Sequence, residues 1–105
     1  MVKRGEVWLI NLDPTVGSEI KKTRPCIIIS PSEMHDYLRT VIVAPMSTGS
    51  KPTSYRTPIT FQGKRGLVLL DQIRALDKTR LVRRLGKAEK PLTLALSVLR
   101  ETFAL

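Results

Sequence analysis

The apolar positions of this chain fall into short, separate runs whose period changes along its length. The first run, Glu6-Val7-Trp8-Leu9-Ile10-Asn11-Leu12, is β-branched and aromatic and ends at Asp13-Pro14, a turn signal. Its near-continuous apolar character predicts a strand buried on both faces for much of its length. A polar, glycine-bearing loop over residues 16–23 follows. Arg24-Pro25 then leads into a second strand, Cys26-Ile27-Ile28-Ile29-Ser30, stopped by Pro31. Residues 32–36 suit a short turn or one helical turn. A third strand spans residues 40–46, and a loop with Ser47, Thr48, Gly49, Ser50, Lys51 and Pro52 comes after it. Weaker strand character returns at residues 57–61. Gln62-Gly63-Lys64-Arg65-Gly66 makes a hairpin-type connection to a strand pair or bent strand over residues 67–76. Asp77 is placed to cap a helical turn, and residues 82–87 form a last strand.

The tail has a different period. Leu92, Leu96, Leu99 and Phe103 recur at i, i+4, i+7 and i+11, which sets four large apolar side chains on one helix face. Leu94, Ala95 and Val98 widen the stripe, and Pro91 suits a first helical turn. The helix is expected to pack on the sheet, with a dimer contact as the other use of that face. Short strands, tight turns and one terminal helix predict a mainly β (α+β) fold. Its core is a small, strongly bent antiparallel sheet or barrel with polar loops clustered on one side.

Length bounds the rest. The 105 residues hold no repeat or linker, so residues 1–105 are one domain, with room for one modest core but not two. No run approaches the ~18 apolar residues of a membrane span, and Glu6 interrupts any signal-like N-terminus. Cytoplasmic residence with no membrane partner is the expectation. One cysteine, Cys26, and one histidine, His35, exclude an internal disulfide and leave nothing for a metal site or a Cys–His nucleophile pair, so no cofactor is expected. Trp8 belongs in the core by its run, and His35 on the surface by its turn.

Charge points to a partner. Eighteen Lys and Arg against nine Asp and Glu give +9, which draws polyanions, nucleic acid above all. The remaining catalytic vocabulary is Arg, Lys, Glu, Asp, Ser and Thr, which suits RNA better than DNA. The 2′-hydroxyl of RNA is its own nucleophile, whereas DNA normally calls for a metal-activated water. Arg24 stands at a loop-to-strand junction, where a planar fork can meet two phosphate oxygens. Ser47 and Thr48 follow a buried strand and offer hydroxyl and N–H donors. Glu19 sits in a loop with Lys21, Lys22 and Arg24, as a base or as their charge partner. Lys51 and the basic residues of the second half suit either a phosphate groove or a solvated face. Gln72 and Arg74 are placed for base edges, phosphate or structure.

In order, these pieces resemble a family. Lys3-Arg4-Gly5-Glu6-Val7-Trp8, Asn11-Leu12-Asp13-Pro14-Thr15, Gly17-Ser18-Glu19, Arg24-Pro25-Cys26-Ile27-Ile28-Ile29-Ser30, Pro45-Met46-Ser47-Thr48 and Asp71-Gln72-Ile73-Arg74-Ala75-Leu76-Asp77 are similar to the MazF/PemK toxins, ribonuclease components of toxin–antitoxin pairs. The resemblance implies a small SH3-like barrel of the MazF/PemK/CcdB type. It also implies a homodimer that cuts single-stranded RNA without metal, leaving 2′,3′-cyclic phosphate and 5′-hydroxyl ends. An acidic antitoxin would cover the same basic surface. By the same resemblance Arg24 takes the catalytic arginine's place, and Ser47, with Thr48 beside it, the catalytic hydroxyl's. Gly17, Ser18 and Glu19 take the place of the family's loop whose carboxylate helps position or deprotonate the ribose, and Asp71 that of a substrate-positioning or structural residue. Lys51, Gln72 and Arg74 stand as substrate-contact candidates from the residues alone. The position two before Asp71, an arginine in some members, is Leu69 here. Two other functions share these features: a gyrase poison of the same fold acting through its C-terminal helix, and a basic barrel that binds RNA without cutting it.

Overall fold

The computed structural model describes all 105 residues. Seven strands form one antiparallel sheet: β1 (Glu6–Asn11), β2 (Thr23–Ile28), β3 (Thr40–Ser47), β4 (Arg56–Phe61), β5 (Lys64–Leu69), β6 (Arg74–Asp77) and β7 (Leu81–Lys87). Helix α1 (Glu89–Thr102) closes the chain. The strand order is β4-β5-β3-β2-β1-β7, with β6 also paired to β3. β3 is the hinge of this arrangement. One edge pairs with β2, while the other pairs with β6 over its first half and with β5 at Met46 and Ser47. Splitting one strand's edge between two partners bends the sheet into a half-barrel, in line with the strongly bent sheet or barrel expected from the sequence.

The central strands are buried on both faces, as their continuous apolar runs require. Alternation sends Val7, Ile27 and Ala44 toward one cluster, which Ile59, Val68 and α1's Ala95 and Leu99 complete. Ile10, Cys26, Ile28, Val41 and Val43 fill a second cluster on the other side with Leu12 and Leu76. The interior is therefore two cores, one under the helix and one inside the bend, where chain length alone suggested one.

Three local expectations shift. Residues 64–66 are strand rather than connection, because the turn is only Gln62-Gly63. Both residues have positive φ (50° and 78°), the type I′ geometry that matches strand twist. The segment after β5 breaks at a 3₁₀ turn, Leu70–Gln72, instead of continuing as one bent strand. Asp77 does cap the next 3₁₀ turn, Lys78–Arg80, accepting from the Thr79 N–H at 2.9 Å. On α1 the buried line runs through Ala95 and Leu99, with Leu92, Leu96 and Val98 beside it. Leu94 lies on the outer side of the helix and is exposed, and Phe103 is exposed because the helix stops at Thr102, short of it.

Two polar groups anchor the N-terminal segment. His35, expected at the surface, is buried. Its Nδ1 donates to the Val2 carbonyl (2.8 Å), and its Nε2 lies 2.6 Å from Ser30 Oγ, which in turn accepts from the Ile42 N–H. Glu6 is also buried and accepts from the Lys3 N–H (2.8 Å), Trp8 Nε1 (3.1 Å) and Arg84 Nε (2.7 Å). Trp8 is consequently only half-buried, its ring packed on the second core and its N–H turned to the carboxylate. Burial pushes the Glu6 carboxyl up, but the bonds from Lys3, Trp8 and Arg84 and the charge of Arg84 outweigh it, holding the group below its ordinary 4.5. A lowered folded-state pKa contributes stability above about pH 4.5 that is lost as pH falls through the folded value. Glu6→Gln should therefore unfold at lower urea than wild type at neutral pH, and the gap between them should shrink near pH 3.5. A pH-independent gap would show that the carboxylate's charge contributes nothing.

Candidate active site

The β2–β3 pairing sets the geometry of the site. Cys26 faces Pro45 and Ile27 faces Ala44. Extending that register by two residues brings Arg24 opposite Ser47 at the open end of the pair. Arg24 and the neighbours Ser47 and Thr48, more than twenty positions further along the sequence, line one cleft of about 280 Å³. Its apolar floor is Met46, Ile59, Phe61 and Leu85, and Gln62, Lys64 and Arg65 from the β4–β5 hairpin stand along its rim. Arg24 is half-buried and its Nε donates to the Lys21 carbonyl (2.8 Å), which leaves the terminal nitrogens of the fork for a ligand. Ser47 Oγ accepts from the Gly49 N–H (3.2 Å) and the Ser50 hydroxyl (3.1 Å). An oxygen held by two donors has its own proton free to give, which is the polarity an oxyanion needs. Beneath Arg24, Cys26 is sealed in the second core. Burial pushes its thiol up to about 12 against the charges of Arg74 and Arg24, so it is no nucleophile.

The other candidate residues gather elsewhere. Glu19, Asp71, Gln72 and Arg74 border a separate recess of about 160 Å³ with Ile20 and Ile73. There Glu19 Oε1 accepts from the Val16 N–H (2.6 Å) and stays exposed. Gln72 Oε1 accepts from the Ile20 N–H (2.7 Å), and Arg74 donates to the Leu12 carbonyl (3.2 Å). Both side chains thus brace the loop between β1 and β2. Asp71 receives a two-pronged bond from Arg56, 3.0 and 2.8 Å, and that guanidinium holds its carboxyl below the ordinary 3.8. Arg56 went unnoticed in the sequence because it lies fifteen positions upstream; the β4–β5 ladder sets it opposite Leu69, itself buried. Gly17, Ser18 and Lys51 are exposed loop residues. Phe61, Gln62 and Leu85 were missed as site residues, since weak strand character at residues 57–61 gives no hint of a cleft. No three His, Cys, Asp or Glu side chains come together.

A bent β-sheet backed by one helix, with an arginine and a hydroxyl lining one cleft at the ends of two paired strands, defines the class: a small, mainly β protein with a polar cleft at its sheet edge. The particular family follows from comparison. Residues 3–98 match the family described as PemK-like, MazF-like toxin of type II toxin–antitoxin system, and the chain belongs to it. It is 37% identical over 91 residues to the endoribonuclease MazF of Staphylococcus epidermidis, covering 81% of this chain and 76% of that protein. It is 35% identical over 81 residues to the endoribonuclease PemK of Escherichia coli, covering 72% of this chain and 61% of that protein. Among solved structures, MazF from Deinococcus radiodurans superposes with a TM-score of 0.87 at 22% identity, over 99% of this chain and 97% of that one. A mycobacterial endoribonuclease in complex with its cognate antitoxin superposes with a TM-score of 0.80 at 18% identity, over 96% and 93% of the two chains. The mainly β fold with a C-terminal helix is thus the fold of these toxins. No helix is long and apolar enough to cross a membrane.

Proposed function

We propose that this toxin-family chain is an endoribonuclease that cuts single-stranded RNA, messenger RNA in the cell, at the Arg24–Ser47 cleft and thereby stops translation. The observation that carries the reading is the convergence of Arg24, Ser47 and Thr48 on one basic-rimmed cleft. The substrate's 2′-oxygen attacks the phosphorus, the bond to the 5′-oxygen breaks, and the ends are a 2′,3′-cyclic phosphate and a 5′-hydroxyl. Charge builds on the non-bridging oxygens as the attack proceeds. Arg24 meets it with a fixed fork, and Ser47, or Thr48 beside it, donates a hydrogen bond. The cleft wall holds neither carboxylate nor imidazole, so the two proton transfers are assigned to water, with Glu19 from the neighbouring recess as the carboxylate for base work, and the cleft's own contribution is electrostatic. Glu19 is assigned to positioning or deprotonating the ribose, and Gly17 and Ser18 on its loop to binding the strand. Gln72 and Arg74 support that loop, Asp71 borders the same recess as a substrate-positioning or structural residue held by Arg56, and Lys51 attracts phosphates from the surface. The relatives named endoribonuclease support this reading.

The same basic surface suits an acidic, partly disordered antitoxin segment that folds on contact; a structural neighbour in complex with its cognate antitoxin supports a partner of this kind. A homodimer in the cytoplasm completes the proposal. The test is to incubate the purified protein with a long unstructured RNA in EDTA and map the ends. Cuts at a short recurring motif with cyclic-phosphate ends support the enzyme. Intact RNA overturns it, in favour of a gyrase poison if gyrase is trapped on DNA, or of a plain RNA binder if the RNA is only retained.

A further inference from the structure

We infer that Phe61 and the β4–β5 hairpin form a nucleobase subsite beside the scissile phosphate, with Phe61 as its stacking face. The inference rests on the ribonuclease reading and adds where the flanking base lies. Phe61 is half-buried: part of its ring packs on the core under the helix, and part remains open to the cleft. Gly86 fixes the ring, because a Cβ there would lie 3.1 and 3.3 Å from two of its edge carbons. With Cζ and Cε1 packed this closely on Gly86, the ring is held in place, and the part of it that lines the cleft is available to a flat partner. Gln62 steadies the hairpin by donating from Nε2 to the Leu85 carbonyl (3.2 Å) across the cleft, which leaves its Oε1 and one N–H for a base edge. Lys64 and Arg65 are exposed on the rim, where a phosphate following the base would pass. The volume, about 280 Å³, is at the lower bound of ligand pockets (~300 Å³) and admits one planar base rather than a protein element.

None of the other aromatic rings lines this cleft. Tyr37 and Phe103 are exposed elsewhere, Tyr55 borders a different groove and Trp8 is turned to Glu6. Stacking tolerates any base, so the hairpin supplies affinity at one position while Gln62 biases which base is taken.

The test is a double-mutant cycle between protein and RNA. Short RNAs centred on a mapped cut are made with the base on either side of the scissile phosphate intact or abasic, and kcat/KM is measured for wild type, Phe61→Leu and Phe61→Trp. At one flanking position the abasic change is expected to cost wild type about tenfold, the size of one stacked base. It should cost Phe61→Leu less than twofold and Phe61→Trp about as much as wild type. Equal losses in all three proteins at both positions overturn the subsite, as does a Phe61→Leu protein that cleaves intact RNA at the wild-type rate. If Phe61→Leu fails to fold, the Phe61→Trp comparison decides: loss of the abasic penalty with a tryptophan in place also overturns it. Wild-type protein that cuts no RNA overturns the ribonuclease reading and the subsite with it; cutting without coupling overturns the subsite alone.

Discussion

Arg24→Ala is expected to slow single-turnover RNA cleavage on the order of 100- to 1,000-fold while leaving the melting temperature within a few degrees of wild type. The rate figure is the usual cost of removing one preorganised donor to a developing oxyanion. The stability figure follows from the side chain's surroundings. Arg24 is half-buried at a strand end, and its hydrogen bond is to the Lys21 carbonyl in an exposed loop, which water can replace. Arg24→Lys keeps the charge but not the planar fork, so a partial rate is expected, closer to Ala than to wild type. RNA retention should weaken much less than cleavage, since Lys64, Arg65 and the loop lysines still attract phosphate. A folded Arg24→Ala protein that cleaves at nearly the wild-type rate would show that the cleft is not the reacting site.

The strands were legible because β-branched runs such as Cys26-Ile27-Ile28-Ile29 leave little else for the backbone to do, but their bounds were less so: β2 spans Thr23–Ile28, taking in Arg24-Pro25 and ending before Ile29 rather than at Pro31. Arg24, Ser47 and Thr48 were legible as candidates through their places beside those runs. What joins them was not, because a cleft depends on the β2–β3 register, which is a long-range fact. The same limit hid Phe61 and Leu85, whose apolar character reads as core until the β4–β5 hairpin is set against β7. Glu19 was grouped with Arg24 by nearness in sequence, yet the loop between them turns, and the carboxylate borders the Gln72 recess instead. Asp71 looked free for substrate because its partner Arg56 arrives from another strand. His35 was misplaced for a related reason. A histidine beside an aspartate in a turn looks solvated, and only the fold supplies Val2 and Ser30 as partners. Phe103 had the right helical spacing, but spacing says which face a residue is on, not where the helix ends.

Gly66→Ala should reduce cleavage on the order of 100-fold without removing a single polar group of the cleft. Gly66 lies on β5 next to the Ser47–Leu67 pair. A Cβ built there sits 2.9 Å from the Ser47 carbonyl oxygen, 3.4 Å from its carbon and 3.6 Å from Thr48 Cγ2. The nearest obstacle is backbone, so no rotamer change relieves it; β3's end must move away from β5, carrying Ser47 and Thr48 with it. Overpacking of this kind typically costs about 1–3 kcal/mol, which a folded domain survives. Displacement of a reacting group by about 1 Å, by contrast, is worth on the order of 100-fold in rate. Stability and activity are therefore expected to part company: a modest fall in the urea midpoint with a large fall in kcat. A Gly66→Ala protein that lost stability but kept its rate would mean that neither Ser47 nor Thr48 needs its present position, and the hydroxyl half of the mechanism would fall while the Arg24 half stood. If both rate and stability were unchanged, β5 yields instead of β3, and the close approach of the two strands is slack that the cleft does not use.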